Sequence, residues 1–319
     1  MTTKIIAEIC QNHGGSLKNL TDLIKSAAEN GADIVKMQSI WSADLTRRER
    51  FQSGEVDSTG NQIAIRRPYE PEFERLSKLD LTLDDHRLFI QECAKYGVLP
   101  MTAIFARHRI PDVAALPWPD RWIKVPSYDC ASWPMLRELA EHFDNFIIST
   151  GATYDEEIVA TAELMKSLGK RFAFTHCVTS YPNSLDMCHL SRMEWLRSFT
   201  PEVGWSDHTK ISENGIVAAK AAILLDAAYI ERHFTILPPE TTRDGPVSMT
   251  PSLLADLVRY RSLSKAEQRA ELQALQPDWE IMLGVPNRKM TAVELLNRDY
   301  YRGRFASPNP AGGWIYNWE

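Results

Sequence analysis

Two histidines (His208 and His233) and two lysines (Lys36 and Lys124) stand at the ends of short apolar runs in this 319-residue chain. The other runs end in polar groups as well. Glu8 lies near the end of the first, Gln38 follows Lys36, and Thr102 sits in the third. Ser127 and Asp129 follow Lys124, Ser149 closes the fifth run, and Thr179 and Tyr181 come just after His176 in the sixth. Ser206 precedes His208, Glu231 precedes His233, and Asp244 lies in the loop beyond. Lysines and hydroxyls together make a ring of donors suited to a phosphate or a carboxylate. Two neutral imidazoles on neighbouring strands can share one divalent ion, and with oxygen ligands from substrate or water they suit Mn2+, zinc being the other candidate. Glu8 and Glu231 fit acid/base work or the support of metal ligands. Their plainer role is an ion pair with Lys36 or Arg232. This inventory reaches as far as a metal-dependent lyase or transferase acting on an anion. A Schiff-base aldolase, which needs a lysine with depressed pKa, and a sugar phosphate isomerase are the competing chemistries.

These groups need a scaffold that gathers eight strand ends. The runs Ile5–Ile9, Ala32–Met37, Val98–Ile104, Trp122–Val125, Phe146–Ser149, Phe172–Cys177, Val203–Ser206 and Tyr229–Phe234 read as strands. Segments of helical spacing separate most of them: Leu17–Asn30, Leu83–Tyr96, Pro134–His142, Asp155–Leu168, Ser212–Leu225 and finally Ser252–Ser264. Such alternation makes the strands parallel, because each return crossover carries a helix. Eight units in about 250 residues predict an α/β fold of the (β/α)8 TIM-barrel type, whose chemistry sits at the C-terminal strand ends. A doubly wound sheet would want a GxGxxG turn after the first strand, and Asn12-His13-Gly14-Gly15-Ser16 does not supply it. Residues 41–80 are polar and long, which predicts a functional or mobile loop. The expected division is a barrel over 1–265 and an irregular, aromatic-rich extension over 266–319, packed on the barrel or on a partner subunit.

Composition narrows the function. The chain carries 36 basic and 42 acidic residues, a formal charge of −6, and its basic residues are scattered. A nucleic-acid partner would call for a clustered basic face. No apolar run is long enough for a membrane span, and no signal-peptide pattern opens the chain. The cysteines, Cys10, Cys93, Cys130, Cys177 and Cys188, are odd in number and form no CxxC pair. Buried free thiols in a reducing cytoplasm are the plain expectation.

Several of these motifs together resemble the sialic acid synthases. They are Ile6-Ala7-Glu8-Ile9 leading into Asn12-His13-Gly14-Gly15-Ser16, Gly31-Ala32-Asp33-Ile34-Val35-Lys36-Met37-Gln38, Ser149-Thr150-Gly151, His176-Cys177 with Tyr181-Pro182, Ser206-Asp207-His208-Thr209, and Glu231-Arg232-His233-Phe234. In order and spacing they are similar to that family over roughly residues 4 to 265. The resemblance implies a metal-dependent condensation, usually with Mn2+, of phosphoenolpyruvate and an N-acetylated amino sugar such as N-acetylmannosamine, giving a nonulosonic 2-keto-3-deoxy sugar acid. It implies His208 and His233 as metal ligands. Lys36, Thr102, Lys124, Ser127, Ser149 and Ser206 would bind phosphoenolpyruvate, and Glu8, Gln38, Asp129, Tyr181 and Asp244 would face the sugar or the reacting centre. A homodimer is the family expectation.

Three features depart from the family pattern. The tail does not resemble the antifreeze-like domain that normally follows and helps cap the sugar, so the expectation here is the barrel alone. Asp129 stands where Glu is usual. Thr179 replaces the common Asn or Ser, and Val125-Pro126-Ser127 replaces a glycine-containing turn. All three lie on the sugar side. A barrel that binds a sugar or a partner without catalysis, and a Schiff-base pyruvate aldolase, are the alternative functions.

Overall fold

A period of two along each strand builds this molecule. In a computed structural model describing residues 2–319, eight parallel strands close into a barrel: β1 Lys4–Cys10, β2 Ile34–Ser39, β3 Leu99–Ile104, β4 Trp122–Val125, β5 Asn145–Ser149, β6 Arg171–Cys177, β7 Val203–Asp207 and β8 Tyr229–His233. Each strand pairs with its sequence neighbours, and β8 closes onto β1. The (β/α)8 expectation is met. Alternate side chains point to opposite faces, so a strand buried on both sides feeds two cores. The bottom of the interior is plugged by Ile6, Ile34, Met101, Trp122, Ile147, Ala173 and Tyr229, one from each of seven strands. The eighth, β7, contributes Gly204, where any Cβ would meet the Tyr229 carbonyl oxygen at 2.3 Å. The outward-facing residues, with Trp205 the largest, pack under the helices in a second and much larger core.

Two residues further along each strand the interior turns polar. Glu8, Lys36, Ala103, Lys124, Ser149, Thr175, Ser206 and Glu231 succeed the apolar plug. Two residues further again come Cys10, Gln38, Phe105, Pro126, Gly151, Cys177, His208 and His233. A closed apolar floor beneath a polar rim therefore follows from strand register alone.

The intervening helices lie close to the expected ranges. Leu17–Glu29 starts at Ser16, whose hydroxyl accepts the Asn19 N–H, and Leu83–Lys95 starts in a capping box of Thr82 and Asp85. The expected helix over Ser212–Leu225 breaks into Ile211–Asn214 and Val217–Leu224, because Gly215 takes φ +52° between them.

Two regions are more ordered than their composition suggests. Residues 41–80 hold a short helix (Arg50–Ser53), a small hairpin (Glu55–Val56 with Gln62–Ala64) and a helix over Tyr69–Ser77. Asp57 closes the hairpin by accepting the N–H groups of Thr59 and Asn61. The extension carries helices over Lys265–Leu275 and Ala292–Tyr301 and a hairpin of Ser307–Pro308 with Trp314–Ile315. The two regions support each other. Phe51 and Ala64 pack with Tyr300, and the Arg304 guanidinium pairs with Glu72. These contacts join segments far apart in the chain, so local patterning gives only loop and irregular chain there.

Candidate active site

At the C-terminal strand ends lies a cavity of about 360 Å³. Its lower wall is the polar layer. The Lys124 ammonium donates to Ser149 Oγ at 2.6 Å and sits 3.3 Å from a Glu231 carboxylate oxygen. Lys36 pairs with Glu8 and lies 3.9 Å from Glu231. The other Glu8 oxygen accepts the Cys10 N–H at 2.7 Å. Both lysines and both glutamates are buried at the cavity wall. Burial drags Lys36 down to about 7, with Glu231 holding it up and Lys124 pushing it further down. Burial pushes Glu231 up, but Lys124, Lys36 and His233 outweigh it and hold its carboxyl below the usual range.

The His208 and His233 rings meet edge to face with centroids 5.3 Å apart, and Tyr181 packs against His208 at 4.1 Å. Burial keeps both imidazoles below their usual pKa, reinforced at His208 by His233, Arg232 and the two lysines. Neutral rings are what metal ligation requires. At His233 the Nδ1 atom is buried and has no hydrogen-bond partner. Cys10, His233 and Asp244 present donor atoms that all lie within 4.8 Å of one another. An orphaned ring nitrogen beside a thiol and a carboxylate fits a divalent ion, with His208 next to the group.

Behind the histidines, outside the cavity, Arg232 and Asp207 form an ion pair with both side chains fully buried. Asp207 also accepts the Thr209 N–H and hydroxyl, while Arg232 donates to the Thr209 carbonyl at 2.7 Å. Because Arg232 alternates with Glu231 and His233, it faces away from the cavity and locks the turn that carries His208. The ion pair considered between Arg232 and Glu231 is therefore not formed.

The upper wall comes from the extension. Asn317 donates to Asp129 Oδ1 at 3.0 Å and to the Phe105 carbonyl at 2.9 Å, and Tyr301 stacks on Tyr128 with centroids 5.0 Å apart. Burial raises the Asp129 carboxyl to about 6, against the hydrogen bonds of Asn317 and Ser132. Arg67, Arg75, Arg243 and Arg304 also reach the cavity.

Of the residues singled out from sequence, Glu8, Lys36, Gln38, Lys124, Ser127, Asp129, Ser149, Tyr181, Ser206, His208, His233 and Asp244 line this space. Thr102 and Thr179 do not. Thr102 is one residue out of step with Met101 and Ala103, so its hydroxyl lies in the outer layer, 2.7 Å from Ser39 Oγ, which in turn meets His86. Thr179 is buried behind the wall, its methyl within 2.7 Å of where a Cβ on Gly151 would stand. Sequence reasoning passed over Cys10, Asn317 and the Asp207–Arg232 pair. Cys10 could have been found by stepping two residues beyond Glu8. Asn317 carried no local signal.

A parallel eight-stranded barrel that gathers two lysines, serine hydroxyls, two histidines and two lysine-paired glutamates above an apolar floor has the layout of an enzyme with its chemistry at the strand ends. The sequence matches the NeuB family over residues 23–271. The chain belongs to that family and is an enzyme of the transferase type. It is 31% identical over 270 residues to the N,N'-diacetyllegionaminic acid synthase of Campylobacter jejuni, covering 83% of this chain and 77% of that protein. With the N-acetylneuraminate-9-phosphate synthase of Drosophila melanogaster it shares 28% identity over 263 residues, 79% of this chain and 65% of that protein. In fold it is similar to the spore coat polysaccharide biosynthesis protein SpsE of Bacillus subtilis, with a TM-score of 0.70 at 24% identity over 93% of this chain and 77% of the other.

Proposed function

We propose that this enzyme condenses phosphoenolpyruvate with an N-acetylated, N-acetylmannosamine-like amino sugar, giving a nonulosonic acid and phosphate. The observation that carries the reading is the floor itself: Lys36, Lys124, Ser149 and Ser206 converge on one buried wall, with the histidine pair one layer above. Lys36 and Lys124 would hold the carboxylate and phosphate of the enol ester, with the Ser149 and Ser206 hydroxyls as further donors. The acceptor aldehyde would lie above, toward His208, His233 and Asp244, which with Cys10 are the residues to hold a divalent ion such as Mn2+. When bound, that ion supplies Lewis-acid polarisation of the aldehyde. The enol methylene carbon would form the new C–C bond as its double bond opens, water would add at the carbon bearing the phosphate and release a proton that the aldehyde oxygen takes up, and breakage of the C–O bond to phosphate would leave that carbon as the keto group. Glu8, held by Lys36 and the Cys10 N–H, would guide that water or stabilise positive charge at that carbon.

The segment over 266–319 acts in this reading as the cap on the sugar side. Asn317 holds Asp129, and Tyr301 and Arg304 complete the wall. Asp129, Gln38 and Tyr181 would then contact the sugar.

The test is a panel of amino-sugar acceptors with phosphoenolpyruvate and a divalent ion. Phosphate release and a product three carbons longer than the acceptor, read by mass spectrometry, are expected. No phosphate release with any aldose, in protein that binds the ion, would leave a sugar- or partner-binding barrel instead. Glu8→Gln is expected to lower kcat by at least about a hundredfold with little change in KM for phosphoenolpyruvate. Undiminished turnover would remove Glu8 from the chemistry.

The position of Lys36 near 7 sets a pH dependence. A depressed lysine is charged below that pH and loses its charge above it, so kcat/KM for phosphoenolpyruvate should fall above about pH 7 with a slope approaching one decade per unit. Lys36→Arg should flatten this limb. A flat wild-type profile from pH 6 to 9 would mean that Glu8 keeps Lys36 charged throughout.

A further inference from the structure

We propose that Cys10 is a thiolate ligand of the divalent ion, with His233 and Asp244, and that this chain therefore prefers a softer ion such as Co2+ or Zn2+ to Mn2+. The proposal rests on the reading that the mouth binds a divalent ion. Several observations converge on it.

Cys10 is the last residue of β1, two beyond Glu8, whose register partner on the adjoining strand β8 is His233, and its thiol lies within 4.8 Å of a His233 donor atom. Its backbone takes φ +36°, in the left-handed region that side chains other than glycine seldom adopt. The β1–β2 register slips between Glu8 and Cys10. Such irregularities re-aim a side chain at a strand end. Here the thiol is turned against Asp244, with Sγ 3.3 Å from Oδ2. The third donor is independent of this loop geometry: His233 Nδ1 is buried in the same place with no hydrogen-bond partner. A buried ring nitrogen left unpaired is costly unless something binds it. Thiol, imidazole and carboxylate within 4.8 Å of one another can close on a single ion.

The chemistry of the set decides the preference. Imidazole and oxygen ligands alone suit Mn2+, whereas a thiolate favours the softer first-row ions. The ion replaces the thiol proton, which leaves to water.

Co2+ added to the metal-free full-length protein provides the test, because a thiolate bound to Co2+ gives an intense near-ultraviolet charge-transfer absorption that imidazole and carboxylate do not. The wild type should show this band and bind Co2+ by calorimetry. Cys10→Ser and Cys10→Gly should lose the band and bind Co2+ more weakly by more than about tenfold, with a smaller change for Mn2+. The glycine variant guards against misfolding, since glycine accepts φ +36° without strain. Cys177→Ala should keep the band, because the Cys177 thiol, 3.7 Å from His208 Nδ1, is the other sulfur nearby. Co2+ bound by calorimetry without a band, or a band surviving both Cys10 variants, overturns the ligand assignment and leaves the metal reading standing. No Co2+ binding at all overturns both.

Discussion

His233→Ala should lower turnover about a thousandfold and weaken divalent-ion binding to a similar degree. His233 is the residue common to both sets of candidate ligands. It faces His208 at 5.3 Å between centroids, and it lies in the Cys10–Asp244 group. Stabilisation of the charge developing on the aldehyde oxygen is worth several kcal/mol, and about 4 kcal/mol corresponds to a thousandfold in rate. Calorimetric titration of the ion and phosphate release at saturating substrates check the two halves separately. The side chain is partly buried at the cavity wall, so thermal stability should change little. Unaltered ion affinity with unaltered turnover would remove His233 from the mechanism.

Arg232→Met should destabilise the fold by about 3–5 kcal/mol, because it leaves the Asp207 carboxylate charged, buried and without its partner. Urea denaturation followed by circular dichroism measures this. Adding Asp207→Asn removes the orphaned charge, and much of the lost stability should return. Activity should not return with it. Asp207 and Arg232 together hold Thr209, and thereby the turn that presents His208 to the cavity. Recovered stability with full activity would reduce the pair to a packing element.

The floor of the site was legible because strands have period two. Once Ile6, Ile34, Trp122, Ile147 and Tyr229 are taken as inward residues, Glu8, Lys36, Lys124, Ser149 and Glu231 must follow them on the same face. Thr102 shows the cost of ignoring that register. It is a polar residue at a strand end, one position out of step, and its hydroxyl joins Ser39 and His86 outside the barrel. Cys10 shows the opposite error. It was in register, yet a lone cysteine among five looks like an ordinary buried thiol until its neighbours are known.

The amino-acid sequence by itself determined the barrel, the order of its strands and the polar layer at their ends, since all three follow from local periodicity and the alternation of strand and helix. The tertiary structure alone decided the rest. Asn317 reaches Asp129 across 188 positions of the chain, and Asp244 reaches Cys10 across 234. No local pattern encodes such a meeting. It exists because β8 closes onto β1 and because residues 297–317, beyond a stretch whose Trp279 and Met282 pack into the outer core, fold back to the barrel mouth.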